Sequence, residues 1–590
     1  MAMFGTNRQF DLQRLPFTTK QSFLSVYQSP YDHLFYLSVA RGKEGTHERP
    51  DLLRIVPVFE GAEQPVIYES DEALLTFRTP NGTVEFTFED PKTLRIRVKG
   101  VSLKIFYVPR MHEGGYERRN HEVELSFEFE GRLLFVPVSG NMTNNARWNF
   151  RTVSPDPFEM VMSPDESGTG TFAVHEYLSN GLAKEKYAGF DDCVNSRRAD
   201  FAEFIKRYPE VPMPYRDMAK KAAYMVWASI MGPEGTLPNP MIYMHKMGFT
   251  RAFGWQHGFH ALAMRNDAKE ALKYLFALFG VQNEYGGIPD QLSDQWQFSW
   301  VATKPPIFGY AVTHILDTFD LSQLTADDYA DVYKKLSSYT DWWFRQHDHT
   351  GSGMPAYYTP DESGFDENSA FGAGLPATTP DLLSYMIYNC EACARLAGML
   401  GHSEKAAEYT EKADRMLKFL VNDLWNGRQF RTWLPVRKEY YDSDSVVQLM
   451  PVMLGKRLPR EIIDVISARL MDENEFLTEY GFATQKLGTD QIFMRAFTQG
   501  TIVAPAQFLL TNGLYDAGKT AEANEVTVRY LNALNHEGLA LGIHPCRMEP
   551  VSFEPIEKIY TQRSVGGPFT SWVSSIYIQL ASRLNEEHAL

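Results

Sequence analysis

Apolar and polar residues alternate through most of the first 180 positions, which is the two-residue period of β-strands. In ALLTFRTPNGTVEFTFED, residues 73–90, two alternating runs meet at the turn sequence Pro80-Asn81-Gly82. A second pair of runs meets at Glu130-Gly131. The pattern predicts an N-terminal antiparallel β-sandwich domain over residues 1–190.

The hydrophobic period then changes to that of helices. A charged helical stretch occupies residues 191–213 and is predicted to link two domains; Pro209 and Pro212 lie near its end, and Pro214 follows directly. From 214 to 590, apolar residues recur at helical spacing in successive segments, which begin near Pro214, Gly254, Ala268, Pro305, Ala326, Pro380, Glu404, Ser443, Pro459, Gln499, Ala521 and Phe569. Short and long connections alternate between these twelve segments, so they predict six helical hairpins closed into an all-α (α/α)6 barrel.

The charge balance narrows the range of partners. The chain has 58 Lys and Arg against 74 Asp and Glu, a formal net charge of −16, which repels phosphate backbones and anionic lipid heads. No apolar run approaches the roughly 18 residues of a membrane span, and the N-terminal stretch lacks the apolar core of a secretory signal. Four cysteines are too few for a disulfide framework. We therefore expect a cytoplasmic protein that binds neither nucleic acid nor membranes; its oligomeric state stays open.

Several motifs of cofactor or metal sites occur without the context that those sites need. Residues 513–520 match the phosphate-loop pattern, but a helical segment leads into them, so we predict a helix-to-helix turn capped by Gly513 and Gly518. Three pairs of residues have the spacing of possible metal ligands, namely Cys390–Cys393, His257–His260 and His347–His349. The cysteines have no second pair to complete a zinc site, and the histidines have no obvious carboxylate partner. We therefore predict no cofactor and no metal.

The long connections of the helical region carry carboxylates among glycines and aromatic residues, namely Asp290, Asp294, Asp361, Glu362, Asp366, Glu367, Glu549, Glu554 and Glu557. Glycosidic cleavage needs two such groups, because one protonates the departing oxygen while the other attacks the anomeric carbon or activates a water. An aromatic content of 13% favours a carbohydrate ligand slightly, since sugars present apolar C–H faces. Acidic surface loops are also common in a chain of this charge, so both interpretations stay open on the carboxylates alone.

Four stretches resemble, in their order and spacing, the clan of (α/α)6-barrel glycoside hydrolases that holds the trehalases and the processing α-glucosidase I enzymes, families 37 and 63. They are GFTRAFGWQHGFH at 248–260; GIPD at 287–290 with KPPI at 304–307; ESGFDENS at 362–369; and YGFAT at 480–484 with QGTI at 499–502 and GLY at 513–515. The resemblance covers about residues 210–585. It implies an inverting glycosidase that cleaves an α-linked glucoside or related α-glycoside of a small oligosaccharide or glycoconjugate.

The same resemblance implies roles for particular residues. Asp366 corresponds to the general acid, and a glutamate shortly before Trp572 corresponds to the general base. Glu554 fits this base position best, with Glu549 and Glu557 as alternatives. The implied substrate contacts are Phe253, Trp255, Gln256, His257, Asp290, Gln291, Glu362, Gln499 and Trp572. Gln256 stands where the family has Asp and Gln499 where it has Arg, so the donor pocket is expected to differ from the family's.

Other functions remain open from the sequence. The same barrel hosts sugar epimerases and polysaccharide lyases, which use His or Tyr as acid and base. A glycan-binding protein whose catalytic geometry has decayed, and a glycoside phosphorylase, are the remaining alternatives. Hydrolysis requires both Asp366 and Glu554, whereas an epimerase would not depend on Glu554.

Overall fold

The computed structural model describes residues 10–30, 32–41, 52–295, 299–300, 302–489, 498–539, 542–543 and 569–586. Its N-terminal strands are β1 (Leu24–Gln28), β2 (Phe35–Val39), β3 (Leu53–Phe59), β4 (Ala62–Glu63), β5 (Ile67–Ser70), β6 (Leu75–Thr79), β7 (Gly82–Asp90), β8 (Thr93–Lys99), β9 (Ser102–Tyr107), β10 (Gly114–Glu117), β11 (Val123–Phe127), β12 (Gly131–Ser139), β13 (Asn141–Asn144), β14 (Trp148–Asn149), β15 (Ser154–Pro155), β16 (Phe158–Ser163) and β17 (Thr169–Tyr177). One sheet has the order β1-β2-β3-β9-β16-β13 with β4 beside β3, and the other has the order β10-β11-β12-β17-β8-β7-β6-β5.

The two sheets share one apolar cluster. Leu37 and Ile105 from the first sheet lie in it together with Phe77 and Ile96 from the second. Alternate residues of each strand supply this cluster, as the two-residue period requires. The strands β6 and β7 are joined at Pro80-Asn81 and pair antiparallel. The prediction of an N-terminal region built from antiparallel sheets is confirmed.

The rest of the described chain is mainly helical. Its helices are α1 (Phe190–Phe204), α2 (Arg216–Ser229), α3 (Gln256–Ala263), α4 (Ala268–Leu275), α5 (Phe308–Thr318), α6 (Ala326–Gln346), α7 (Pro380–Met399), α8 (Ser403–Phe419), α9 (Arg460–Leu470), α10 (Ala504–Asp516), α11 (Thr520–Glu537) and α12 (Ser571–Glu586). Short strands pair between them as β18 (Ile230–Met231) with β19 (Met241–Ile242), β20 (Ala252–Phe253) with β21 (Gln291–Leu292), β22 (Thr432–Leu434) with β23 (Glu439–Tyr441), β24 (Leu477–Thr478) with β25 (Gly481–Phe482), and β26 (Ile502–Val503) with β27 (Gly542–Ile543).

Each of the twelve predicted segments contains a helix within the described ranges. The segment predicted near Ser443 is a 3-10 helix, Val446–Arg457, and not an α-helix. Pro451 inside it has no N–H to donate, and Gly455 leaves the helical region with a φ of 56°. Among the described residues, no helix is both long and apolar enough to cross a bilayer.

The phosphate-loop look-alike forms the turn between α10 and α11, as predicted. Gly518 has a φ of +76° and lies at this turn, which is the conformation that glycine adopts without strain. Gly513 does not cap a helix, because it lies within α10. A Cβ at Gly513 would lie 2.6 Å from the carbonyl carbon of Val452, so this glycine serves close packing against the 3-10 helix.

A closed series of contacts joins helices that are far apart in the sequence. Helix α3 contacts α5, α5 contacts α7, and α7 contacts the 3-10 helix. That helix contacts α10, α10 contacts α12, and α12 returns to α3. The connections that precede several of these helices hold the predicted site residues.

We expect Gly309→Ala to destabilise the fold by about 1–3 kcal/mol, because an added methyl group in a packed core costs about that much. Gly309 lies where α5 meets α7, and a Cβ there would overlap the backbone of Asn389. The Gly309 N–H also donates to Asn389 Oδ1 at 2.6 Å. Denaturant unfolding measures the change. Gly398→Ala is the matched control, since its Cβ would enter open space; equal losses in both variants would contradict the close approach.

Candidate active site

The loop that carries Asp366 is anchored by a short 3-10 turn, Pro360–Ser363. Thr359 and Glu362 cap this turn reciprocally, and Gly364 reverses the chain after it with a φ of +67°. Glu362 Oε2 accepts from the Tyr358 N–H at 2.7 Å, and its Oε1 lies 2.9 Å from His347 Nε2. Glu362 is buried. These contacts hold the loop in place, and a contact between Glu362 and substrate stays a prediction.

Lys304 brings two of the predicted carboxylates together. Its Nζ lies 3.7 Å from Asp366 Oδ1 and 4.0 Å from Asp290 Oδ1, and it donates to the carbonyl oxygen of Asp361 at 2.7 Å. Both Oδ1 atoms are buried, and neither accepts a hydrogen bond from any residue within the described ranges. This cluster of Lys304, Asp290 and Asp366 is the candidate catalytic centre.

The electrostatics of the centre favour a protonated carboxyl group. Burial raises the pKa of Asp366 to about 6, although its side chain keeps 40% of its surface exposed. Lys304 opposes the rise, and further carboxylates add to it, namely Asp361, Glu367 and Asp290. Burial also raises the pKa of Asp290. For Lys304, burial lowers the pKa, but the surrounding carboxylates outweigh burial and the pKa is raised. Lys304 therefore stays charged beside two aspartates whose pKa values are raised by burial.

Two tryptophans pack beside the Asp366 loop. The rings of Trp255 and Trp572 are 4.9 Å apart, and a Cβ at Gly364 would lie 2.6 Å from the Trp255 ring. Both tryptophans are buried, so in this structure they support the loop and expose no face for stacking on a sugar. Gln256, at the start of α3, is also buried, and its Oε1 has no hydrogen-bond partner among the described residues. It is an acceptor that a sugar hydroxyl could use.

His257 is fully used inside the protein. Its Nδ1 lies 2.8 Å from the carbonyl oxygen of Phe253, and its Nε2 accepts from the Ile242 N–H at 3.2 Å. Burial lowers the pKa of His257 to about 4, so the ring is neutral. Both ring nitrogens therefore hold the protein's own main chain, and a substrate contact of His257 stays a prediction.

The remaining predicted contacts lie around the same centre. Phe253 pairs with Gln291 across β20 and β21 and is partly exposed. Gln291 Oε1 accepts from Arg251 at 3.1 Å. Gln499 donates through Nε2 to the carbonyl oxygen of Glu367 at 2.6 Å, directly after Asp366. Gln499 thus helps to hold the Asp366 loop through its main chain.

The predicted base lies outside the described residues, whereas Lys304 belongs to the candidate centre without having been predicted. Glu549, Glu554 and Glu557 lie outside the described residues. Lys304 was not among the predicted contacts, although a single lysine before two prolines and an apolar helix is a local signal for it. Among the described residues, no three side chains of His, Cys, Asp or Glu come together as a metal site. Cys390 and Cys393 are buried within α7.

This chain matches a known family model and shares its fold with solved proteins. Residues 250–545 match the model of the mannosylglycerate hydrolase MGH1-like glycoside hydrolase domain. A GH63 mannosylglycerate hydrolase from Thermus thermophilus, solved in complex with glucose, aligns with a TM-score of 0.51 at 14% identity, over 61% of this chain and 99% of its own. A bacterial glucoamylase complexed with acarbose aligns with a TM-score of 0.59 at 10% identity, over 99% of this chain and 95% of its own. At these identities the likeness concerns the fold. No curated protein matches the chain.

Proposed function

Because this chain belongs to the mannosylglycerate hydrolase MGH1-like glycoside hydrolase family, we propose that it hydrolyses an α-linked glycoside of a small oligosaccharide or glycoconjugate with inversion of configuration. The observation that carries the proposal is the pair of buried, hydrogen-bond-free Oδ1 atoms of Asp366 and Asp290 on either side of Lys304. Burial of these oxygens raises the pKa of both carboxyl groups, and the exposed 40% of the Asp366 side chain leaves this carboxyl group open to a glycosidic oxygen.

Asp366 is the proposed general acid. Its pKa of about 6 lets it hold a proton near neutral pH, and its partial exposure leaves room for the departing oxygen. Glu554 is the proposed general base, on the family resemblance. An inverting pair needs a separation of roughly 6.5–9.5 Å, which admits the attacking water. Asp290 and Gln256 would accept hydrogen bonds from donor-sugar hydroxyls.

We propose that the closed series of contacts from α3 through α12 is the inner ring of an (α/α)6 barrel over residues 214–590. The two N-terminal sheets would form a β-sandwich domain over residues 1–190, with 191–213 as the linker. The glucoamylase, which aligns over nearly the whole chain, supports this two-domain layout. In an (α/α)6 barrel, the loops that precede the inner helices lie at the same end of the barrel. Trp255 directly precedes α3, and Trp572 lies in the first turn of α12.

Product release from a panel of α-glycosides tests the proposed function. The panel holds aryl α-glycosides and disaccharides of glucose, mannose, galactose and glucuronate, together with mannosylglycerate, the compound in the name of the Thermus relative. We expect the parent chain to release one sugar preferentially. Isomerisation of a free sugar without cleavage would indicate an epimerase. Binding of panel members without any release would contradict hydrolysis and favour a glycan-binding protein.

We expect kcat/KM to fall as the pH rises through about 6, because the general acid Asp366 acts only when protonated and its pKa is about 6. The positive charge of Lys304 lowers this pKa, so Lys304→Met should raise it. The alkaline limb of the pH profile should then move to higher pH by about 1 pH unit or more, which is the usual effect of a charge at this distance. Profiles of kcat/KM from pH 4 to 9 measure the shift.

Two controls accompany the Lys304→Met profile. Lys304→Arg keeps the charge and should leave the limb near its original position. Lys273→Met removes a lysine that is 46% exposed and pairs with Glu270 away from the centre, so it should not move the limb. A limb that stays in place in Lys304→Met would show that Asp366 is not the group that titrates.

A further inference from the structure

A buried cluster of ionised side chains joins the sheets to the helical region. Arg41, which follows β2, is fully buried and pairs with Glu176 of β17. The same guanidinium lies 2.7 Å from Glu234 and 3.2 Å from Asp294, both in the helical region. Lys92 pairs with Glu176 at 2.9 Å and also with Glu234. The cluster therefore spans both parts of the molecule.

Asp294 lies four positions after Asp290, on the segment that forms β21. Arg41 Nη1 donates to its Oδ2 at 3.2 Å, and the Tyr243 hydroxyl donates to its Oδ1 at 3.2 Å. The Asp294 carbonyl oxygen accepts from the Thr236 N–H at 2.8 Å. Leu292, between the two aspartates, lies in the apolar cluster that the two sheets share. The far end of this segment is thus fixed largely by residues of the sheets and of the 234–243 connection.

The near end of the segment carries a candidate catalytic-centre residue. The Asp290 N–H donates to the Ser299 carbonyl oxygen at 2.9 Å, and its own carbonyl accepts from the Gly254 N–H at 2.9 Å. Its Oδ1 lies 4.0 Å from Lys304 Nζ. Asp290 itself makes no ion pair with the sheets within the described ranges. Its position relative to the sheets depends on the segment that Asp294 holds.

We propose that Arg41, acting through Asp294, is a positioning residue for Asp290, so that the N-terminal sheets set the geometry of the donor-sugar site. This inference rests on the proposed function for the role of Asp290 as a sugar contact. The claim that the ion pair between Arg41 and Asp294 holds the 290–294 segment does not depend on the proposed function. The sheets then act on the site through the 290–294 segment.

The charge balance of the cluster makes Asp294→Asn an interpretable variant. With every group ionised, the cluster holds two positive side chains, Arg41 and Lys92, and three carboxylates. Removal of the Asp294 charge leaves two positive side chains and two carboxylates, so no buried charge loses its counterion. Asparagine keeps the size of the side chain and an acceptor for the Tyr243 hydroxyl. Glu176→Gln is the matched control. It also leaves two positive side chains and two carboxylates, but it keeps the ion pair between Arg41 and Asp294.

Two measurements on the full chain test the proposal. Hydrogen exchange followed by mass spectrometry should show faster exchange in peptides covering 287–294 of Asp294→Asn, and not in those of Glu176→Gln. With the preferred panel glycoside, Asp294→Asn should raise KM about tenfold, as loss of about 1.4 kcal/mol of binding would, with kcat changed less. Asp290→Asn should raise KM similarly, and the double variant should add little to either single effect.

The outcomes separate the two claims. Unchanged exchange at 287–294 in Asp294→Asn overturns the positioning role, whatever the activity. Faster exchange with an unchanged KM leaves the segment held by Arg41 but contradicts Asp290 as a sugar contact, which belongs to the proposed function. Additive effects in the double variant would show that Asp294 acts on the site by a route other than Asp290. A parent chain without turnover fails the proposed function alone, since the exchange measurement still decides the positioning role.

Discussion

Asp366→Asn is expected to lower kcat by about 10²- to 10⁴-fold, the usual contribution of a general acid. Asparagine has nearly the same shape as aspartic acid but cannot deliver a proton to the departing oxygen. The loss should therefore depend on the leaving group. It should be largest for disaccharides, whose leaving alcohols need protonation, and much smaller for 2,4-dinitrophenyl glycosides, whose leaving group departs unassisted. Steady-state kinetics on the two substrate types measure this difference.

Asp361→Asn is the matched control for this variant. Asp361 lies five residues earlier in the same loop, is exposed, and contacts Lys304 through its main-chain carbonyl, which the substitution keeps. We expect its kcat to stay within about tenfold of the parent, as for a charge that acts only through the surrounding field. A similar loss in both variants, or a loss in Asp366→Asn that is the same for both leaving groups, would contradict the acid role of Asp366. Sugar affinity, measured by calorimetry, should persist in Asp366→Asn.

Glu554→Gln is expected to lower kcat by a comparable factor of about 10²- to 10⁴-fold, because the attacking water loses the base that activates it. Its kinetic signature differs from that of the acid variant. Activated aryl glycosides should lose as much activity as disaccharides, since the defect lies in the nucleophile and not in the leaving group. A small added anion such as azide, which needs no deprotonation, should restore cleavage of an activated substrate as glycosyl azide.

Two neighbouring glutamates test the assignment of the base. Glu549→Gln and Glu557→Gln carry the same chemical change in the same connection. We expect each to keep kcat within about tenfold of the parent, without azide rescue, because neither would activate the water. A severe loss with rescue in one of them, and a mild effect in Glu554→Gln, would move the base to that residue.

Much of the fold could be predicted from local sequence periods. Alternation around Pro80-Asn81-Gly82 predicts the hairpin of β6 and β7, and helical spacing predicts the segments that form α2 through α12. Both signals arise from which face of an element is buried. The 3-10 helix was missed because hydrophobic spacing does not register the effect of Pro451 on the hydrogen-bond ladder.

The candidate site was predictable only in part. The resemblance around ESGFDENS predicts Asp366 as the general acid, which stays a prediction, and the expected membership of a glycoside hydrolase family is confirmed. The roles of Glu362 and His257 depend on partners that the motif does not contain, such as His347 and the Ile242 N–H. A motif shows which residues recur, but the hydrogen bonds that each side chain makes are decided by tertiary packing.

The sheet-to-site link could not be predicted from the sequence. Arg41 meets Glu176 and Asp294 across separations of 135 and 253 residues. No local period or spacing encodes such pairs, and each residue alone looks like an ordinary surface charge. Burial turns them into a cluster in which every charge needs a counterion.

The most direct test of an inverting acid and base pair is the configuration of the first sugar released. Proton NMR of the reaction with the preferred α-glycoside, recorded within the first minutes, distinguishes the two anomers before mutarotation equilibrates them. Inversion by Asp366 and a base-activated water predicts that the β-anomer appears first and the α-anomer only later. Initial release of the α-anomer would contradict this account, because it requires a covalent intermediate formed by a carboxylate nucleophile.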